Sequence, residues 1–312
     1  MRTILLTRLV QLFAVTLLVG ALSFAMMHAL PGDAAMRIAA GRYGPDALTG
    51  AAADLVRVEL GLDRPMSAQF IDWVWRILRL DMGYSLVGGN RVSDELNAQL
   101  GYSVKLAISG LVLSLLLGLL PGLVAGLRPG GRTDHLTLLL AVALRAVPLF
   151  MIGIVLILCF SVWLPILPPA GFGGLLEMLL PALTLAIGLA AVGSRVTRDV
   201  IREVVARPHV SFARHNGLSE AAVVRRHVLR NAAIPVVAFF TIQAVYLIEG
   251  VIVVEAIFAL PGIGHALVHS LFARDVPVVQ GAALVMGAMF VAINTGVDVL
   301  AMLIDPRLRS RR

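Results

Sequence analysis

A single lysine and a single cysteine occur among the 312 residues. The lysine, Lys105, follows Gly-Tyr-Ser-Val, and the run G-x-x-x-x-G-K-[ST] occurs nowhere. That argues against ATP hydrolysis by a P-loop mechanism, so energised work by this chain would draw on a partner. The cysteine, Cys159, lies in the apolar run LILCFSVW. An intramolecular disulfide is therefore impossible, and a thiolate metal site is disfavoured. Charge is also scarce. Charged residues make up 14%, where soluble domains carry about 25%. No Ser-His-Asp set, catalytic carboxylate pair or Gly-rich cofactor loop stands out, so no catalytic residue is expected.

What fills the chain is apolar: 59% of residues are hydrophobic, and the formal charge is +7. A basic balance suits nucleic acid or an anionic membrane face. Apolar runs near twenty residues favour the membrane and exclude nucleic acid as the partner. Six spans are expected: Leu9 to Leu30, Ser103 to Leu127, Leu136 to Leu164 with a kink at Pro148, Met178 to Val196, Ala232 to Leu260 and Val278 to Ile304. Ser23-Phe24-Ala25 resembles a signal-peptide cleavage site. The apolar run continues past it, so an uncleaved span is the simpler reading.

Residues 31–99 differ, with nine acidic residues and short amphipathic pieces such as AAADLVRVELGL. Trp73 and Trp75 in FIDWVWRILRL suit a helix at the headgroup level. The chain thus divides into a first span over 1–30, an extracytoplasmic segment over 31–99, a five-span core over 100–304 and a basic tail over 305–312.

Arginines set the orientation. Eight lie in the loop 194–231, four in the tail DPRLRSRR and two in RPGGRTDH. On the other face, 166–177 has none and 261–277 has only Arg274. Both termini and the loop of about 197–231 are therefore expected on the cytoplasmic side. Within that loop Asn216-Gly217 reads as a helix stop. Ser219 reads as the next N-cap and Glu220 as a first-turn acid. Ala221, Val224, Val228 and Ala232 recur on one helical face, and Pro235 marks entry to the fifth span.

The stretch Ala213-x-x-x-Gly217-Leu218-Ser219 through His227-x-Leu229-Arg230-Asn231-x-x-x-Pro235 resembles the EAA-type loop of ABC importer permeases, in the dipeptide/oligopeptide/nickel family. Leu30-Pro31-Gly32-Asp33, LGLDRPMSAQF, RLDMGYSL, VVEAIFALPGIG, RDVPVVQG, and Asn294 to Asp298 followed by DPRLR extend the likeness along nearly the whole chain. The resemblance implies a coupling helix seated in a cytoplasmic ATPase, with Phe212, Ala213, Arg214, Asn216, Gly217, Leu218, Ser219 and Glu220 at the docking surface. It also implies family positions Glu255, Pro261, Gly262, Gly264 and Asp298. Implied partners are a second homologous permease, two ABC ATPases that use ATP and Mg, an extracytoplasmic solute-binding protein and the lipid of a bacterial inner membrane. No cofactor of its own is implied. The elbow reads His215-Asn216-Gly217 where the family often has A-K-G. RPHV, RRHVLRNA and PAGFGG lean towards the nickel branch, making nickel or a nickel chelate the expected cargo and di- or oligopeptides the alternative.

Arg145, near Pro148, and Glu249 lie deep in their expected spans. They form either a structural pair or part of a path for a charged solute. Glu255 is expected to order the PGIG turn, and Asp298 to serve helix packing. His265 and His269 share a helix face at i, i+4 spacing, but two histidines alone make a poor metal site. A self-contained ion-coupled carrier would need internal inverted symmetry, which is not apparent. A membrane enzyme acting on lipid would need a constellation not found here.

Overall fold

A computed structural model describes residues 2–29, 32–44, 49–59, 61–79, 81–171, 174–273 and 275–304. Among them the chain is helical, and the only sheet-like pairing is an isolated antiparallel bridge between Tyr84 and Arg91. The helices are α1 (Arg2–Ala29), α2 (Ala34–Tyr43), α3 (Gly50–Glu59), α4 (Met66–Leu78), α5 (Val92–Leu127), α6 (Arg132–Ala146), α7 (Leu149–Ile157), α8 (Leu175–Val205), α9 (Pro208–His215), α10 (Glu220–Val223), α11 (Leu229–Ile257), α12 (Ile263–Ala273) and α13 (Val276–Ile304). Two π-helical segments, Leu158–Trp163 and Val224–Val228, follow α7 and α10. The expected tail lies outside the described residues, as do Leu30, Pro31, Arg274, Phe172 and Gly173.

Among the described residues four helical stretches are long and apolar enough to cross a bilayer: Val92–Leu127, Leu175–Val205, Glu220–Ile257 and Val276–Gly296. The pair α6 and α7 makes a fifth if it is counted as one span. α1 is apolar over Leu6–Leu22. Six full spans were expected, so the count is reached only in part.

The third span is more than kinked: α6 and α7 meet at 103°. Pro148 has no N–H and crowds the residue before it, and Val147 is accordingly extended at φ −97, ψ 127. α8 continues to Val205, past the expected end at Val196. Hydropathy falls at Arg195 and Arg198, but nothing between them and Arg207 breaks a helix, so the helix outlasts the apolar stretch. At about 1.5 Å per residue its 31 residues exceed a hydrocarbon core of about 30 Å. Pro235 lies inside α11 and marks no boundary.

The chain divides into two compact units. One comprises residues 1–103 and 261–292. In it α2 and α3 pack through Ala35, Ile38, Ala39, Ala53 and Val56. α4 exposes Trp75, over which the Arg79 guanidinium sits 5.1 Å from the ring centre. Asp275, almost fully buried, caps the 85–87 backbone: it accepts from Ser85 Oγ at 2.5 Å, Leu86 N at 3.1 Å and Val87 N at 3.3 Å. The runs RLDMGYSL and RDVPVVQG, far apart in sequence, thus meet at one carboxylate.

The other unit comprises 104–260 and 293–312. Its core gathers Leu106, Leu180, Leu185, Leu247, Val251, Val254 and Phe258 from α5, α8 and the end of α11. α5 presses glycines against α8. A Cβ on Gly122 would lie 2.5 Å from the Ser194 carbonyl oxygen, and one on Gly126 2.7 Å from Ile201 Cβ. Backbones that close leave no room for a methyl group. A Cβ on Gly101 of the same helix would meet nothing within 4 Å. Gly122→Leu should therefore cost about 3 kcal/mol or more and lower the unfolding midpoint of the detergent-solubilised protein. Gly101→Ala in the same assay should leave the midpoint unchanged or raise it.

Candidate functional site

The basic stretch between α8 and α11 folds as a hairpin whose parts are held from beneath. Ala206 ends α8; Arg207 is extended at φ −72, ψ 143, and Pro208 starts α9 with its ring already suited to a first-turn position. α9 stops at Asn216, whose N–H donates to the Phe212 carbonyl at 3.0 Å. Gly217 then takes φ +78, a left-handed conformation that an L side chain resists. Nothing lies within 4 Å of the place where its Cβ would be, so the demand for glycine comes from the backbone and not from crowding. Ser219 has the extended backbone of an N-cap (φ −62, ψ 148), and Val223 N donates to its carbonyl at 2.9 Å. Its side chain makes no capping bond, which corrects the sequence reading of Ser219. Glu220 turns instead to Arg214, which donates from Nε at 3.1 Å and from Nη2 at 2.6 Å. Hydrogen bonding to Glu220 holds the Arg214 guanidinium above its ordinary pKa. The pair closes the elbow but is exposed on both sides, so it contributes little stability.

The rigidity comes from apolar contacts. Val210 and Ala213 of α9, Val223 of α10, Val228 and Ala232 bury together against Ile201 and Val204 of α8. The expected inner face was Ala221, Val224, Val228 and Ala232. Ala221 is exposed and Val223 takes the inner position. The π segment explains the change. Leu229 N donates to the Val224 carbonyl five residues back, so Val223 and Val228 align at five-residue spacing. Ala213 faces inward, whereas Phe212 is 67% exposed at the outer edge of the elbow. Arg214, His215, Asn216, Gly217, Ser219 and Glu220 are exposed beside it, and Leu218 is half-buried. His209 and His227 approach across the hairpin, with ring centres 6.4 Å apart.

A second ionic element braces the same end of the bundle. Asp134, in the first turn of α6, is nearly buried. Its Oδ1 accepts from Arg195 Nη1 and Arg198 Nε, each at 3.0 Å. Its Oδ2 accepts from Arg198 Nη2 at 2.7 Å and Gly130 N at 3.0 Å. Two arginines expected only as positive-inside charges thus tie α8 to the turn before α6.

Arg145 and Glu249 do not pair: among the described residues no ion pair joins them, and both are exposed. Arg145 instead lines a cavity of about 430 Å³ beside the break between α6 and α7, with Val147 and Leu149, the neighbours of Pro148. The Glu255 side chain is fully buried, and its carbonyl accepts from Leu260 N at 3.0 Å. Pro261, Gly262 and Gly264 lead into α12, where Ile263 N donates to Ser103 Oγ at 2.9 Å. His265 and His269 stack with centres 6.2 Å apart, and no group of three His, Cys, Asp or Glu that could hold a metal ion forms among the described residues. The side chain of Asp298 lies outside the described residues.

Two family models match the chain: the inner membrane component of binding-protein-dependent transport systems over residues 101–310, and the N-terminal part of the same membrane component over 1–107. The chain belongs to this permease family. A permease named for a peptide transport system in Brucella abortus is 36% identical over 99% of both chains. The glutathione transport system permease GsiC of Salmonella typhimurium is 38% identical over 97% of this chain and 98% of its own. Among solved structures, the MetNI methionine ABC transporter in inward-facing conformations matches with a TM-score of 0.56 at 16% identity, covering 67% of this chain and 96% of that one. An amino acid ABC transporter crystallised with histidines matches at 0.52 and 15%, covering 67% and 94%. These two likenesses concern the fold.

Sequence reasoning about this permease missed Asp134 and Asp275. Each is one acid in a polar stretch, and the distant partners lie 61 to 64 residues from Asp134 and 188 to 190 from Asp275. Asp134 does carry a local signal, an acid in a helix first turn beside Gly130-Gly131, but nothing local names its arginines. Asp134→Asn should cost about 1–3 kcal/mol, because two partly buried guanidinium groups lose their anion. Arg198→Gln should cost a similar amount, and the double variant less than the sum of the two. The check is a double-mutant cycle on unfolding midpoints in detergent.

Proposed function

We propose that this permease is one half of the pore of an ABC importer for di- or oligopeptides in a bacterial inner membrane. Two cytoplasmic ATPases would grip the hairpin, a second homologous permease would complete the pore, and an extracytoplasmic binding protein would deliver cargo. One observation carries the coupling role: a Gly217 elbow presents exposed Phe212 while Val210, Ala213, Val223 and Val228 are packed onto α8 and α11. A push on the elbow therefore reaches two membrane helices directly. In this reading ATP binding closes the ATPases, the hairpin acts as a lever, and the bundle alternates between outward and inward access. ATP and Mg belong to the partner subunits.

The peptide cargo is supported by relatives named for peptide and glutathione transport along nearly the full chain. Glutathione is itself a tripeptide. That support displaces the nickel preference drawn from RPHV, RRHVLRNA and PAGFGG.

Three measurements test the proposal. Phe212→Ala should weaken association with the ATPase by about 30-fold or more, the size of a hot-spot loss, read as co-purification with membrane insertion retained. Gly217→Val should reduce coupled uptake similarly, and Gly217→Asn should reduce it less, because asparagine tolerates positive φ. Unchanged ATPase association in Phe212→Ala and Gly217→Val would refute the lever. For cargo, a deletion strain should lose uptake of a labelled dipeptide and keep nickel accumulation; the reverse result restores nickel.

A further inference from the structure

The cavity beside the α6–α7 break has a chemistry that the peptide reading leaves unused. Three polar side chains line it: Arg145 from the last turn of α6, and Gln243 and Tyr246 from α11. Among the described residues none of the three has a hydrogen-bond or ion-pair partner. Glu249 of α11 does not line the cavity, and among the described residues it does not pair with Arg145. The remaining walls are aliphatic. Leu149 fills the space left by two glycines: a Cβ on Gly188 would lie 3.1 Å from it, and one on Gly250 3.3 Å. That packing fixes the first residue of α7 against α8 and α11, and with it the position of the break.

An arginine inside an apolar span costs several kcal/mol unless it meets an anion or a wet path. Its planar fork matches a carboxylate through two parallel N–H bonds. The Tyr246 hydroxyl and the Gln243 amide can donate to the remaining lone pairs. The cavity, about 430 Å³, falls within the usual range for small-molecule sites of roughly 300–1,000 Å³. We infer that Arg145, with Gln243 and Tyr246, forms a carboxylate-recognising subsite on the translocation path, which takes the free C-terminus of a peptide as it crosses. This inference rests on the peptide reading of the cargo.

The test uses the whole importer in proteoliposomes, with saturating binding protein, and compares a labelled dipeptide with its C-terminally amidated form. The binding protein's own selectivity is common to all variants and cancels when ratios are compared. In Arg145→Gln the acid-to-amide uptake ratio should fall at least about tenfold from wild type, the lower size of a lost charge-assisted hydrogen bond. Arg145→Lys keeps the charge without the fork, and its ratio should fall between the two. An unchanged ratio in both variants overturns the subsite and leaves the peptide reading standing. Equal loss of both peptide forms in Arg145→Gln assigns the arginine to the contact with the second permease and also overturns the subsite. A wild-type importer that takes up neither form overturns the peptide reading and the subsite together.

Discussion

The hairpin between α8 and α11 depends on one small apolar cluster. Val210, Ala213, Val223, Val228 and Ala232 close over Ile201 and Val204, so the hairpin is an extension of α8 and α11 and not a loop hung between them. The ionic pair across the elbow, Arg214 with Glu220, is exposed and shapes the turn without holding it. Buried contacts resist displacement because separating them exposes apolar surface to water. The lever proposed for this hairpin needs stiffness, and burial supplies it.

Stiffness at the hairpin transmits force only if the helices beyond it also keep their contacts. Two devices serve that end, and they differ in kind. Near the hairpin, Asp134 holds Arg195 and Arg198 and so ties α8 to the turn before α6. At the same level of α8 the second device is shape: Gly122 faces Ser194 and Thr197, Gly126 faces Ile201, and the two bring the backbone of α5 onto α8 at distances a Cβ would not permit.

The broken third span fits the same logic. A helix that bends through 103° leaves carbonyls of α6 without helical partners, which is tolerated in a membrane only where protein or water satisfies them. The break lies beside a polar-lined cavity and beside Arg145, which has no ion-pair partner among the described residues. One proline thus interrupts the span and places Arg145 at the mouth of the space where α6, α8 and α11 approach.

Much of this was legible in the residues. The helical class, the apolar stretches and the Asn216-Gly217 stop follow from local rules: hydropathy of a run, the missing N–H of a proline and the freedom of glycine at positive φ. The sequence alone determined that the chain is helical and membrane-seeking, and where its elbow bends. Other features depended on the tertiary structure. The π segment moved the inner face from Ala221 to Val223; Asp134 and Asp275 found partners from 61 to 190 residues away; and Arg145 and Glu249, alike in depth, did not meet. The physical reason is common to all three. Periodicity and depth fix a residue's place along its own helix. Which neighbour it meets depends on the rotation and separation of helices, and those are set by close packing between segments distant in the chain.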